Sequence, residues 1–330
     1  MKQKTIQIFL TGTLRVILLI FGVSAAAFFL LAISPIDPLQ SNVGQAALGA
    51  MSPEQIEKLR AYWGTDIPMI QRYFTWAWDF IRGEMGVSLL YRRPVGEILR
   101  ERAAGSLGMM ALAWLLSGGI GFLLGILAGA KRGKWQDKLV TSYSLLTAST
   151  PAFFLALLLL MVFSVWLKAL PVGFAVPIGV EASQVRLSDR IVHAILPAAA
   201  LSLTGISNIA LHTREKMIEV LESDYVLFAR ARGEDTGSII RRHCLRNIAF
   251  PAVTLQFASI SEIFGGSVLV EQVFSYPGLG QAAVNAGLGS DVPLLLGITV
   301  VSAVIVFCGN ALANLLYEVL DPRIKRGNGV

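Results

Sequence analysis

One carboxylate is set apart by its surroundings. Glu262, in Ser261-Glu262-Ile263-Phe264-Gly265-Gly266, sits inside an apolar stretch. A charge at membrane depth is costly and normally faces a cavity or a partner. Two uses fit it: an anion lining a path for a cation or a positively charged substrate, or a hydrogen bond or ion pair between helices. Other chemistries lack their parts. The 3 histidines and the 2 cysteines, Cys244 and Cys308, are scattered, with no metal-finger spacing and no disulfide framework. Tight metal binding would need a Cys/His cluster, so no metal site is expected. His212 and Glu262 do not make a nucleophile–base pair, and no Gly-x-Ser-x-Gly turn is present, so no catalytic residue is expected. A phosphate loop needs glycine, four residues, then Gly-Lys-Ser/Thr. Gly133-Lys134 is followed by Trp135, and Ala128 stands where the first glycine belongs. The chain therefore has no ATPase motif of its own, and no cofactor is expected in it.

A second segment carries chemistry of another kind. In Ser223-Asp224-Tyr225-Val226-Leu227-Phe228-Ala229-Arg230-Ala231-Arg232-Gly233, Ser223 or Asp224 is suited to cap a helix start, and Gly233 to end it in a left-handed turn. The spacing predicts a helix of about two turns with Tyr225, Phe228 and Arg232 on one face. Exposed aromatics are a poor surface for an isolated protein. They suit an anchor held in a groove on a partner, with arginines at the rim.

The elements that position these residues are membrane helices. The chain has 330 residues, 54% hydrophobic and 15% charged, with mean hydropathy +0.63, against about 25% charged in soluble domains. Apolar runs alternate with charged segments, and the backbone of such runs must be satisfied internally, so an all-α integral membrane protein is expected. About six spans are read: 14–33, 106–130, 139–166, 195–212, 248–270 and 292–317. The first has a basic start, but its apolar stretch is too long for a signal core, so it is expected to be retained. The net charge of +6 falls in short loops beside the spans, which argues for topology and against nucleic acid. Lys131, Arg132, Lys134 and Lys138, then Arg214 to Arg246, then Arg323, Lys325 and Arg326 put these loops and both termini on the cytoplasmic side.

Gly121, Gly125 and Gly129 form a groove for close helix packing, within the chain or against a partner. Pro151 and Pro197 are expected to interrupt the third and fourth spans, as path-lining breaks or as structural kinks. The long outer loop, 34–105, has helical stretches. Ser52-Pro53-Glu54 starts one of them. Trp63, Tyr73, Trp76, Trp78 and Phe80 add aromatic mass, some of it for the membrane interface. Val95, Ile98, Leu99 and Arg102 suggest one face of a helix lying along the membrane.

Several segments together resemble a family. Asp224-Tyr225-Val226 to Ala229-Arg230-Ala231-Arg232-Gly233, then Arg242-His243, Leu245-Arg246-Asn247 and Pro251, resemble the coupling loop of ABC importer permeases of the dipeptide, oligopeptide and nickel branch. Leu227-Phe228-Ala229 replaces the general Glu-Ala-Ala, as is usual in that branch. Glu271-Gln272-Val273-Phe274 with Tyr276-Pro277-Gly278-Leu279-Gly280 is similar to the branch's loop before the last span. Asp321-Pro322-Arg323, Gly83-Glu84-Met85-Gly86-Val87-Ser88 and His193-Ala194-Ile195-Leu196-Pro197 agree more weakly, with Glu84 in place of Asp.

The resemblance implies a single transmembrane permease domain over 1–330, with an N-terminal helix 1–33, an extracytoplasmic loop 34–105, a core 106–322 holding the coupling loop 213–250, and a tail 323–330. It implies Asp224, Tyr225, Phe228, Ala229, Ala231, Arg232 and Gly233 as the contact with an ATPase, and Glu271, Pro277 and Gly278 as outer-gate loop positions. The implied partners are a second, paralogous permease, two ATP-binding subunits that hold ATP and Mg, an extracytoplasmic substrate-binding protein and membrane lipids, in a prokaryotic inner membrane. The segment from Glu262 to Gly266 looks more like nickel-type permeases, so a metal ion or chelate is the expected substrate, with di- or oligopeptides as the alternative. A secondary transporter would need internal repeats and several intramembrane charges. An inert scaffold would not need the aromatic, glycine-ended loop.

Overall fold

The structure is a computed structural model that describes residues 2–33, 51–55, 67–177, 179 and 184–320. Trp63, the Asp321-Pro322-Arg323 motif and the 323–330 tail lie outside the described residues. The described chain is helical: α1 (Lys2–Ile33), α2 (Met69–Arg82), α3 (Val95–Ala130), α4 (Trp135–Ala148), α5 (Ala152–Leu159) running on as a π-helical turn (Leu160–Trp166), α6 (Leu187–Leu221), α7 (Asp224–Ala231), α8 (Thr236–Ile239) with a second π turn (Ile240–Cys244), α9 (Leu245–Ala258), α10 (Ile260–Val273), α11 (Leu279–Leu288) and α12 (Val292–Leu320). Two compact units are formed, one from Met1–Gly105 with Gly278–Cys308, the other from Ser106–Pro277 with Gly309–Val330.

Among the described residues, four helices are long and apolar enough to cross a membrane: Gly12–Ile33, Val95–Ala130, Leu187–Leu221 and Val292–Asn314. The expected third and fifth spans are bent pairs, by 109° between α4 and α5 and by 48° between Thr236–Ala258 and α10. Pro151 explains the first break. Proline lacks the N–H and forces the preceding residue out of the helical region. The last turn before the break closes on itself: Ser149 Oγ donates to Leu145 O and Thr150 Oγ1 to Leu146 O, each at 2.8 Å, and the Thr150 N–H reaches Thr147 O at 3.2 Å. The second break falls at Ser259, whose hydroxyl donates to Gln256 O at 2.8 Å. Pro197, expected to interrupt a span, instead lies buried within a continuous α6. Membrane helices absorb such prolines by local adjustment.

Two boundaries move for identifiable reasons. α6 begins at Leu187, not near residue 195, because Asp189 in its first turn accepts from the Arg186 N–H at 3.0 Å and caps it. α3 begins at Val95, because Val95, Ile98 and Leu99 do not lie along a membrane surface. They are buried with Leu279, Ala282, Ala286, Leu294 and Ile298 in the core of the first unit. The same spacing serves a packing face as well as a membrane face. Arg102 donates to Gln281 Oε1 at 3.1 Å. Residue 52 starts a turn as expected, through a reciprocal pair: Gln55 Oε1 accepts from the Ser52 N–H at 2.9 Å and Ser52 Oγ from the Gln55 N–H at 3.3 Å.

The Gly83 to Ser88 segment is tied down by a buried carboxylate. Asp291 Oδ2 accepts from Ser88 Oγ at 2.5 Å and from the Leu90 N–H at 3.0 Å, while its Oδ1 accepts from the Leu294 N–H at 3.2 Å. The last bond caps α12, where a negative charge is favoured.

In the second unit the glycine stripe packs inside the chain. A Cβ at Gly121 would stand 2.9 Å from Ile206 O, at Gly125 2.7 Å from Ala210 O and 2.5 Å from Thr213 Cβ, and at Gly129 2.6 Å from Met217 Cβ. The backbones of α3 and α6 therefore run in close contact over two turns. Gly119, on the same helix, has open space. Gly125→Ala is expected to destabilise the assembled protein by about 1–3 kcal/mol through overpacking, read as a lowered Tm in detergent. Gly119→Ala should leave Tm unchanged or raise it, because it only improves helix propensity.

Candidate coupling site

α7 is a short helix with a defined start and stop. Ser223 takes the extended N-cap conformation, and its hydroxyl donates back to Val220 O at 2.5 Å, at the end of α6. Asp224 places a negative charge in the first turn. At the other end Gly233 adopts φ +87. Its N–H donates to Arg230 O at 2.9 Å, and the Glu234 N–H reaches Ala229 O at 3.2 Å. This bond pair needs a left-handed residue after the helix, which glycine supplies without a Cβ clash.

The two faces of α7 do different things. Val226 and Ala229 turn inward and pack with Met217, Val220, Ile239 and Ile248. Ala229 is 3% exposed, so it cannot belong to the contact surface where the sequence put it. With Val226, it fixes the helix to the body of the unit. Asp224, Tyr225, Phe228, Ala231, Arg232 and Gly233 are exposed, Phe228 at 66%. Leu227 is half exposed and joins this surface. It stands two residues from Tyr225, off the stripe that helical spacing picks out.

Residues beyond α7 hold it in place. Asn247 Nδ2 donates to the Tyr225 hydroxyl and to His243 O, both at 2.9 Å. His243 Nε2 lies 3.1 Å from Glu234 Oε2. The Arg242-His243 and Arg246-Asn247 part of the motif thus supplies two clips on the helix and its exit, a role the sequence did not assign. Beneath the helix, Arg214 makes a forked pair with Asp137, Nε to Oδ1 at 2.5 Å and Nη2 to Oδ2 at 2.9 Å. The Gly133 N–H also donates to Asp137 Oδ2 at 2.8 Å. Arg132 pairs with Glu222. A cleft of about 220 Å³ opens between Lys131, Lys134, Glu222 and Arg230.

Glu262 lies in the first turn of α10, three residues past the Ser259 break, and is exposed. Among the described residues it makes no hydrogen bond or ion pair. Its neighbour Ser261 donates to Asn310 Oδ1 at 2.6 Å. Below the break, Gln256 Nε2 donates to Trp114 O at 2.5 Å, and Trp114 Nε1 donates back to Gln256 O at 2.8 Å.

Glu271 is not on a loop. It closes α10, is 0% exposed, and accepts from Ser106 Oγ at 2.6 Å. Its apolar flanks had made it look like the start of a connection, whereas the helix continues to Val273. The connection itself is pinned: the Phe174 N–H donates to Phe274 O at 2.9 Å, and the Tyr276 N–H to Glu271 O at 2.8 Å. Burial raises the Tyr276 phenol above its ordinary range, and the Glu271 carboxylate adds to the rise. Pro277 is half-buried, and Gly278 is the buried N-cap of α11. Among the described residues, no group of three or more His, Cys, Asp or Glu is placed to share a metal ion.

Residues 121–326 match the family described as "Binding-protein-dependent transport system inner membrane component". The chain is 33% identical over 316 residues to the "Oligopeptide transport system permease protein AppB" of Bacillus subtilis (strain 168), covering 95% of this chain and 97% of that protein. It is 31% identical over 322 residues to the "Dipeptide transport system permease protein DppB" of Escherichia coli (strain K12), covering 92% and 94%. Both names specify peptides, which favours the peptide alternative over the metal chelate suggested by the Glu262 to Gly266 segment.

For the site itself, Gly233→Ala meets open space, so its cost is backbone strain alone, about 1–2 kcal/mol. The expected result is faster amide exchange at residues 233 and 234, with protection of α6 unchanged.

Proposed function

The chain belongs to the binding-protein-dependent transport system inner membrane component family, and from that premise we propose that α7 couples ATP hydrolysis on partner subunits to passage of a peptide through the membrane. The family role is that of a permease in an ATP-driven importer, working with a substrate-binding protein and ATPase subunits. In our reading α7 faces the cytoplasm, as do both termini. Two ATPase subunits each receive a coupling helix, one from this chain and one from a paralogous permease. The surface Asp224, Tyr225, Leu227, Phe228, Ala231 and Arg232 enters the ATPase groove, and Gly233 lets the chain turn away from it. ATP and Mg are held by the partners.

The observation that carries this reading is the division of α7. An exposed aromatic face stands opposite a buried face, Val226 and Ala229, that packs with residues of α6 and α9. A push on Phe228 is then a push on both helices.

The proposed substrate is a di- or oligopeptide. Glu262 is proposed as a pathway carboxylate that meets the ammonium group at a peptide's N-terminus, which supplies the opposite charge for its exposed, unpaired side chain.

The test is ATPase and uptake activity in liposomes with both permeases, the ATPase subunits and the binding protein. Phe228→Ala and Gly233→Asp should lower substrate-stimulated ATP hydrolysis roughly tenfold or more, as expected for anchor residues, while assembly survives. Normal stimulated hydrolysis with intact transport in both variants would remove α7 as the transmission element. In the same system Glu262→Gln should reduce uptake of free peptides more than of N-acetylated ones. Equal loss on both would show that the carboxylate does not read the ammonium, and uptake of nickel chelates in place of peptides would restore the metal reading.

A further inference from the structure

The first unit contains a helix whose surface no part of the coupling function uses. We propose that α2 lies in the membrane–water interface at the Ile33 end of the first span, with Ile70, Phe74, Trp78 and Ile81 sunk among the lipids.

Taken round at about 3.6 residues per turn, α2 has three sectors. Tyr73, Trp76 and Ala77 pack with Phe28, Ala25 and Phe29 of α1. Next to them runs an apolar stripe of Ile70, Phe74, Trp78 and Ile81, exposed by 65%, 58%, 56% and 77%. The remaining sector carries Gln71, Thr75 and Arg82, with Arg72 and Asp79 beyond. A helix standing free in water would not carry such a stripe, and a helix between two spans would not carry such a polar sector. Side contact with a span, an apolar face and a polar face, in that order round the helix, fit one lying flat at a bilayer surface.

α1 fixes the depth. Tyr73 meets Phe28 edge-to-face and Trp76 lies tilted against it, at 5.4 and 5.7 Å between ring centres, and the Tyr73 hydroxyl lies 2.9 Å from Ser24 Oγ. Phe28 precedes the end of the Gly12–Ile33 span by roughly five residues, or about 7.5 Å of helix. An interfacial helix sinks by about 5–10 Å. The α1 span is only 11% buried, with Leu14, Ile17, Leu18, Phe21 and Leu30 bare, an apolar surface of the kind a bilayer accommodates. The α2 stripe extends that surface.

The cations agree with this placement. Arg82 stacks over Trp78 at 4.8 Å and Arg72 over Phe28 at 5.4 Å. Each guanidinium lies over an aromatic ring, a pairing suited to the headgroup level, where cations and amphipathic rings meet.

The test uses the assembled transporter in liposomes, with Cys244 and Cys308 replaced and single spin labels at 70, 71, 74, 75, 78 and 81. Collision with oxygen, which concentrates in lipid, should exceed collision with a water-soluble nickel chelate at 70, 74, 78 and 81. The order should reverse at 71 and 75. Chelate access at every position would put the helix in water and overturn the proposal. Shielding of the stripe from both reagents, either always or only when the external binding protein is added, would mean that protein covers it and would equally overturn it. Because Cys244 is buried, a second measurement keeps both cysteines. A photoreactive phenylalanine at position 74 should form adducts with phospholipid, and adducts with a protein chain alone would refute the placement.

Discussion

Three glycines on α3 let its backbone touch that of α6, and the position of α7 follows from this contact. Gly121, Gly125 and Gly129 meet Ile206, Ala210, Thr213 and Met217 at distances that leave no room for a side chain. The stripe ends where α6 is about to hand over to α7. Beyond it, the loop after α3 is fastened to α6 by the Asp137–Arg214 fork and the Gly133 N–H. The end of α3, the end of α6 and the start of α4 therefore form one block. The apolar cluster that receives Val226 and Ala229 draws on that block and on Ile248 of α9.

A helix of eight residues is marginal alone. Here it is held by two buried side chains, a glycine-dependent stop and the Asn247–Tyr225 clip. Its outer face then has little freedom relative to the spans. α9 is tied to α3 in its turn. Trp114 and Gln256 exchange hydrogen bonds just before the Ser259 break, and Glu262 follows within a turn. A displaced α7 acts on a helix that bends next to the proposed pathway carboxylate.

Much of this was legible in the residues. The all-helical membrane architecture follows from apolar runs, and the short helix α7 from its start and stop residues. The glycine stripe was legible as a groove, though not what filled it, because small residues at that spacing suit any close neighbour. Three features were hidden for physical reasons. The inward turn of Ala229 depends on which side of α7 meets α6, and an alanine reads the same on either side. Val95, Ile98 and Leu99 have the spacing of an amphipathic face, and only their partners in α11 and α12 show that the face is packed. Glu271 looked like a loop residue because its charge ends an apolar run, yet a serine from α3 satisfies it inside the unit. The break at Ser259 carries no proline. The nearest one, Pro251, sits in an unbroken α9.

The most direct test of the account is site-specific photocrosslinking in the assembled, active transporter. The probe is placed on α7 at 228, and at the inward position 226 for comparison. The account predicts crosslinks from 228 to an ATPase subunit, strengthened or weakened by ATP, and none from 226 beyond its own chain. A complex that transports substrate while 228 never reaches an ATPase subunit would contradict it.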